Sequence, residues 1–501
     1  TSQGLAGPLG KAFTTQGGKV AMGQVRDTNK RDGIDHFTRL SREDKQRIHE
    51  ASVGILERIG VRLYLEEAVR LLQSAGATVT RDSRVRIPAD LVKWALDVVP
   101  KSVTLYDRGG EPAMKLQGER CYYGPGSDCL NIIDHRTAQL RKPVISDVAA
   151  GARLCDGLRN VDFVMSMVLP TDVDETIADI YQMEAMFNNT TKPIITVSYE
   201  TDGLVAAVEM AEAIRGGAAE LQEKPLLACY INVISGAVHN EDGLRKLLYL
   251  AEKGLPTIYI PGSNAGVTSP ATMPGAVALD NAGVLVGLVL SQLKREGTPF
   301  IWSAMDGISL DMRTLVSPYA YAERGYMRAL AEYYGVPSFA VAGGSDAKMV
   351  DQQAGIEAAL SILVDSILGG NIIHDLGYLE SGRTFSFVHL AICDEIVSWV
   401  KGFLTGVEVS EETLALDVIE EVGFDGQYLD TQHTLTHFRD FWYPDLFERA
   451  TRENWAARGG KSLAERAADR VDDILEKHTP ASLPADTIEQ LRKIVSTYET
   501  K

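Results

Sequence analysis

The sequence predicts an α/β protein, a (β/α)8 TIM barrel with an N-terminal helical lead-in and a C-terminal helical module. Three observations carry that expectation. Short apolar runs recur at Tyr122–Tyr123, Asp162–Val168, Pro193–Val197, Leu226–Ile231, Pro256–Ile260, Pro299–Ser303, Ser338–Ala342 and Asn371–His374. Successive runs lie roughly 30 to 40 residues apart, the length of a strand, a loop and a covering helix. Pro193, Pro225, Pro256, Pro299 and Pro337 stand just before runs, where no ladder N–H is yet needed. Eight strands suit a closed barrel; the rival open doubly wound sheet usually has fewer strands and a Gly-rich first turn.

Residues 1–40 lack apolar periodicity and read as a mobile or subunit-embracing arm. Residues 41–118 read as the helical lead-in. Ser41 caps an acidic first turn, and Ile48, Ala51, Ile55, Leu56 and Ile59 follow at helical spacing. Further helices are expected over Leu65–Ala75 and Pro88–Val98, with a short strand at Val103–Tyr106. Residues 119–395 form the catalytic barrel. Its intervals carry helical patterns at Ser146–Leu158, Ile177–Phe187, Leu204–Ile214, Glu241–Glu252, Pro274–Lys294, Pro318–Tyr334 and Asp351–Leu368. Residues 396–501 turn helical, with the last clear helix capped by Ser462 over Leu463–Lys477, and read as a cap or subunit-contact module.

Composition bounds the function. A 501-residue chain with a formal charge of -18 does not suit sequence-independent nucleic-acid binding, which needs a basic surface. Five cysteines without CxxC spacing argue against a disulfide framework and for a reducing cytoplasm. The N-terminus shows no secretory pattern, and Ala276–Leu293, interrupted by Asp280, Asn281 and Gln292, reads as a buried helix rather than a membrane span. Acidic helices around a barrel favour a homo-oligomer.

In parallel α/β folds ligands sit at the carboxyl ends of strands. Here those ends supply Tyr123, Tyr199, Glu200, Asn232, Ser263, Trp302, Ser345, Asp346, His374 and Asp375. The set is rich in aromatics and carboxylates and poor in lysine, which does not favour a phosphorylated substrate. It suits a cation that cannot donate hydrogen bonds, such as a quaternary ammonium. His374, oriented by Asp375, is the leading functional residue. Gly343 and Gly344 read first as tight turns, and second as room for a large planar cofactor. His433 and His437 share a helix face, but HTLTH lacks the acid of a HExxH site, and only Cys229 among the cysteines lies in a barrel strand; no metal is expected.

Two stretches, GGSDAKMVDQQAGIEAA and NIIHDLGYLESGRTFSFVHLAICDEI, resemble the corrinoid-dependent trimethylamine methyltransferase family. The segments YLDTQHTLTHFRDFWYPDLFERATRENW and ERIGV are similar to it as well, so that the resemblance runs from about residue 41 to 478. It implies a barrel that moves a methyl group from a methylamine to cob(I)alamin held by a small corrinoid protein, and no tightly bound metal of its own. This chain has only standard residues where archaeal trimethylamine enzymes carry pyrrolysine, which points to the branch acting on quaternary amines. Glycine betaine is favoured, with proline betaine, carnitine, γ-butyrobetaine or trimethylamine as alternatives. On this reading His374 and Asp346 are catalytic. Tyr123, Tyr199, Glu200, Trp302, Asp375, Arg383 and Phe385 bind substrate, and Gly343, Gly344, Ser345 and His374 face the corrin. A betaine carboxylate would be met by Arg313, Arg324 or Arg383. The rival readings are a zinc enzyme on the same barrel and a corrinoid-binding protein without turnover.

Overall fold

Eight parallel segments close a ring in the computed structural model, which describes residues 37–500. They are β1 (Tyr122–Pro125), β2 (residues 162–165), β3 (Ile194–Val197), β4 (Leu227–Asn232), β5 (Thr257–Ile260), β6 (Phe300–Ser303), β7 (Ser338–Val341) and β8 (Ile372–Leu376). A continuous ladder runs from β3 through β8 to β1. The β2 segment completes the ring on both sides: the Asp162 N–H donates to the Tyr123 carbonyl at 2.6 Å, and Val164 pairs in parallel with Ile194. The protein is a (β/α)8 barrel, and all eight expected runs occupy its staves.

Strand alternation sorts the side chains. Phe163, Met165, Ile195, Ala228, Ile258, Ile260, Ile301, Phe339 and Ile372 meet along the axis. An antiparallel hairpin, Val103–Tyr106 with Pro112–Leu116, adds Val103, Leu105, Met114 and Leu116 to the same cluster. The Tyr106 N–H donates to the Pro225 carbonyl, just ahead of β4, so the hairpin plugs the amino end and leaves the carboxyl end for chemistry.

The helix α1 (Arg42–Gly54) starts on Ser41, whose hydroxyl accepts the Asp44 N–H. Its Ser52 hydroxyl donates to the Ala278 carbonyl of α2 (Met273–Lys294), joining the lead-in to the barrel. By length and composition α2 is apolar enough to cross a membrane, yet 78% of its most apolar window is buried inside the fold, so here it is a core helix. All five cysteines are buried and unpaired with one another.

The described residues divide into two units, 37–401 with 444–500, and 402–443. Residues 444–500 therefore belong with the barrel rather than to a separate cap over 396–501. The expected helix Leu463–Lys477 packs on Ile145–Gly157, where Gly157 leaves room for Ile474. A further helix, Ala485–Glu499, covers Ala178–Asn189 and Thr201–Arg215. The pattern reading stopped short of it. Within 402–443, Phe424, Leu429, Phe441 and Tyr443 are exposed, and His437 sits between Glu412 and Asp440 at 2.7 Å from each. The N-terminal arm expected over 1–40 lies outside the described residues except for its last four.

Candidate active site

The carboxyl end of β8 breaks the alternation that governs the rest of the strand. Ile372 faces the axis, Ile373 faces out and His374 faces in; the register against β1 then shifts, and Asp375 takes φ +84°. Such a bulge re-aims a side chain, and two consecutive residues end up in the barrel mouth. The close approach depends on Gly126 of the facing loop: a Cβ there would lie 2.2 Å from Asp375 Oδ1 and 2.3 Å from the Tyr378 ring.

His374 is buried and stacks on Phe339 with ring centroids 3.9 Å apart. Its Nδ1 lies 2.8 Å from the Ala340 carbonyl, which can only accept, so Nδ1 carries a hydrogen. Nε2 faces Asp375 Oδ1 at 3.4 Å. Burial pushes the Asp375 carboxyl up from the ordinary range, opposed by the charge of His374 and by the Tyr319 hydroxyl, which donates to Oδ2 at 2.8 Å.

A second carboxylate shares the mouth. Asp128, also at positive φ, accepts from the Ser166 hydroxyl at 2.8 Å and the Gln182 amide at 3.2 Å, while burial raises its pKa. Burial raises Tyr230, Tyr378 and Cys129, and Asp128 and Asp375, both close to all three, add to the rise, so that the two acids border one space. Tyr230 packs edge-on against Phe339 at 5.4 Å, and Tyr319 edge-on against Tyr378 at 6.1 Å. The mouth is thus two carboxylates and an imidazole inside an aromatic wall.

The sequence-predicted residues divide sharply. His374 and Asp375 are in the mouth, and Tyr199 lies at its edge, its hydroxyl pushed up first by burial and then by the nearby Asp128 and Asp179. Three aromatics are not there. Trp302 is one step from the axial Ile301, so alternation turns it outward, where it packs on Tyr334 at 4.9 Å. Tyr123 follows the axial Tyr122 and likewise points out, its hydroxyl 2.8 Å from that of Ser366 and its ring under Lys401. Phe385 is fully buried in a small sheet beside the barrel, against Tyr378 and Phe387. Glu200 and Arg383 are exposed.

Asp346, expected as catalytic, is a clamp. Its carboxylate accepts the Tyr319 N–H at 2.8 Å, the Ala320 N–H at 3.0 Å and the Ser381 hydroxyl at 2.7 Å. Ser345 donates to Glu357 and accepts the Ala347 N–H. The room beside the two glycines is already filled by this chain: a Cβ on Gly343 would meet Leu376 at 2.4 Å, and one on Gly344 the Tyr319 ring at 2.5 Å. They serve close packing and are no cradle for a planar group. Asp128, Tyr230, Phe339, Tyr319 and Tyr378 are the mouth residues that sequence reasoning missed. In-out alternation from Ala228 could have found Tyr230, whereas nothing local signals Tyr319, which arrives on a loop between β6 and the next helix.

The family model described as trimethylamine methyltransferase (MTTB) matches residues 14–501. The chain belongs to that family. The trimethylamine methyltransferase MttB of Desulfitobacterium hafniense (strain DSM 10664 / DCB-2) is 32% identical over 92% of this chain and 94% of its own length. The glycine betaine methyltransferase of D. hafniense (strain Y51) is 29% identical over 92% and 97%. The trimethylamine methyltransferase MttB of Methanosarcina thermophila is 28% identical over 90% and 96%. Among solved structures, the monomethylamine methyltransferase of Methanosarcina barkeri aligns with a TM-score of 0.47 and 11% identity, over 89% of this chain and 90% of that one. The protein is therefore a methyltransferase. Among the described residues of this trimethylamine methyltransferase family member, no group of three His, Cys, Asp or Glu side chains is spaced to hold a metal ion.

Proposed function

We propose that this protein transfers a methyl group from a methylated ammonium cation to the cobalt of a corrinoid carried by a separate small protein. The observation that carries the reading is the barrel mouth, where His374, Asp375 and Asp128 stand among Tyr230, Phe339, Tyr319 and Tyr378. Aromatic faces and carboxylates attract a charged nitrogen that has no N–H to donate. Glycine betaine, the named substrate of one relative, presents its methyl groups on such a nitrogen, and trimethylamine, that of another, on a tertiary nitrogen that is charged only when it carries a proton.

The corrinoid supplies a strong Co(I) nucleophile. The residues of this chain do the rest by position. As the C–N bond breaks, its electron pair stays on nitrogen, so a quaternary amine leaves neutral and needs no proton from the enzyme. Tyr230 and Tyr319 hold the cation at the open end, and the Phe339–His374 stack forms the floor that keeps water from beneath it. His374 is thereby a positioning group beneath the substrate and not a general acid. Access fits a visiting partner: Ile234, Val267, Met312, Leu315 and Met349 are exposed on loops that follow β4, β5, β6 and β7, an apolar rim around the mouth. The exposed apolar side chains of 402–443 suit a contact between subunits of a homo-oligomer, read by light scattering, and a reducing cytoplasm suits the five buried thiols.

Purified protein mixed with Co(I) cobalamin and a panel of methylated amines should yield methylcobalamin, seen in the visible spectrum. His374→Ala should slow the transfer on the order of a hundredfold with the fold intact by circular dichroism. A variant within a few-fold of wild type would place the chemistry elsewhere.

A further inference from the structure

We propose that Tyr199 is a specificity-determining residue, whose phenol donates a hydrogen bond to an oxygen on the tail of the methylated ammonium substrate. The substrate class follows: a quaternary amine with a hydroxyalkyl or carboxyalkyl arm, in preference to one carrying methyl groups alone. This rests on the methyl-transfer reading and narrows it. Val197, at the end of β3, packs against the axial cluster, and Tyr199 two residues on takes the same face. It lies one layer farther out than Tyr230, which is level with Val197 on the neighbouring strand. Burial raises the phenol, and Asp128 and Asp179 add to the rise, so the hydroxyl stands beside an acid of the mouth.

Tyr199 as a whole is half-buried, yet its hydroxyl oxygen is buried and has no hydrogen-bond partner among the described residues. The groups around it are committed elsewhere. Asp179 Oδ2 accepts the Tyr199 N–H at 3.0 Å, and Oδ1 accepts the Ile180 N–H. Asp128 Oδ1 accepts from Ser166 and Gln182. The Gln182 amide nitrogen, close to the phenol, is a donor whose hydrogens go to Asp128 and to the Val168 carbonyl, so it offers the phenol proton nothing. Two other mouth phenols are already engaged, Tyr319 to Asp375 and Tyr378 to the Ser127 carbonyl. The arginines named from the sequence for a substrate carboxylate are not at Tyr199: Arg324 is buried in an ion pair with Asp365, and Arg313 and Arg383 are exposed. A dry donor without an acceptor favours a ligand that supplies one, and a site built in this way rejects the analogue that lacks it. A hydroxyl or a carboxylate oxygen meets that requirement, whereas a methyl group does not.

Titration calorimetry on the full chain with tetramethylammonium, choline and glycine betaine tests this, paired with the methylcobalamin assay on the same ligands. Choline or glycine betaine should bind at least tenfold tighter than tetramethylammonium, and Tyr199→Phe should shrink that ratio at least fivefold. The ligand whose advantage shrinks identifies the tail oxygen, a hydroxyl for choline and a carboxylate for glycine betaine. Because the phenol oxygen has no partner in the free protein, Tyr199→Phe should melt as the unaltered chain does; loss of the fold would show a paired hydroxyl and overturn the inference. The Ser198 hydroxyl is also buried and unpartnered, but it lies one residue away and so on the opposite face of the strand. Ser198→Ala should keep the ratio within twofold, and an equal collapse in that variant would overturn the assignment to Tyr199. Tetramethylammonium binding as tightly as both others, or a ratio unmoved in Tyr199→Phe, would also overturn it, and methylcobalamin formed under those conditions would leave the methyl-transfer reading standing. The expected ratios without methylcobalamin from any ligand would support the tail site and remove methyl transfer. Binding of none of the three would remove both.

Discussion

At the scale of single residues, the mouth is held by a few hydrogen bonds whose removal has separable effects. Tyr319→Phe deletes one hydroxyl that donates to Asp375 Oδ2 and keeps the ring against Tyr378. A hydrogen bond of this kind contributes about 1 kcal/mol, and one to a charged group somewhat more. Methyl transfer should fall about tenfold, while the melting temperature stays within a few degrees; unchanged transfer would mean that Asp375 needs no orienting partner. Gly126→Ala is the harsher change, since the new methyl would collide with both Asp375 and Tyr378. It should lose activity and stability together, read by the same assay and by thermal melting. Legibility at this scale was partial. His374 and Asp375 could be found because a polar pair after an apolar strand is unusual in itself. Tyr123 and Trp302 were misplaced because a strand end says which residues are near the mouth, whereas only alternation counted from a known axial neighbour says which face they take. Asp375 breaks even that rule, through a bulge that leaves no trace in composition.

Among elements, the loop between β6 and the helix Tyr326–Tyr334 acts as a strap across the mouth. Ile308–Ser309 pairs with Asn264–Ala265, and the Asp346 carboxylate pins the strap farther on through the Tyr319 and Ala320 N–H groups. Asp346→Ala removes both contacts to the strap, and a third to Ser381, without touching the barrel ladder. The strap should then be cut faster by proteases around residues 312–322 and transfer should drop, while global unfolding in urea is little changed. Equal cleavage rates would show that the strap is held by something other than Asp346. Gly344→Ala should act on the same segment from below, since its Cβ would displace the Tyr319 ring. The helix and strands of this region were legible in outline: the expected helix Asp351–Leu368 is Gln352–Ile367, capped by the Asp351 side chain. The role of Asp346 was not, because its partners lie about 26 and 35 residues away in sequence and no local pattern links them.

For the whole molecule, the barrel was legible because period-two and period-3.6 patterns alternate over eight repeats, and each repeat reinforces the next. The helix Ala485–Glu499 and the outward placement of 444–500 were not, since they depend on which surface groove is left to fill. Packing on this scale also buries acids, and their ionisation sets a pH dependence. Asp280, on the core helix α2, accepts from the Ser263 hydroxyl at 2.8 Å but has its other oxygen unpartnered, and burial pushes it up to about 7. Asp306 accepts the Met327 N–H at 2.8 Å and is also pushed up to about 7, while Asp179 rises to about 6. Each is raised in the folded state above its value of 3.8 in the unfolded chain, so the folded form binds more protons between those limits. Their contribution is fully present below about pH 4 and is lost as pH rises through about 6 to 7, opposite in sign to the usual salt-bridged carboxylate. Asp280→Asn removes one of the three. For a three-unit rise the linked free energy is on the order of 4 kcal/mol as an upper bound. In urea titrations from pH 5 to pH 8 the variant should lose less stability than the wild type and overtake it at the alkaline end, provided that the amide keeps the Ser263 contact. Parallel curves for the two proteins would show that Asp280 stays ionised, or stays protonated, across the whole interval.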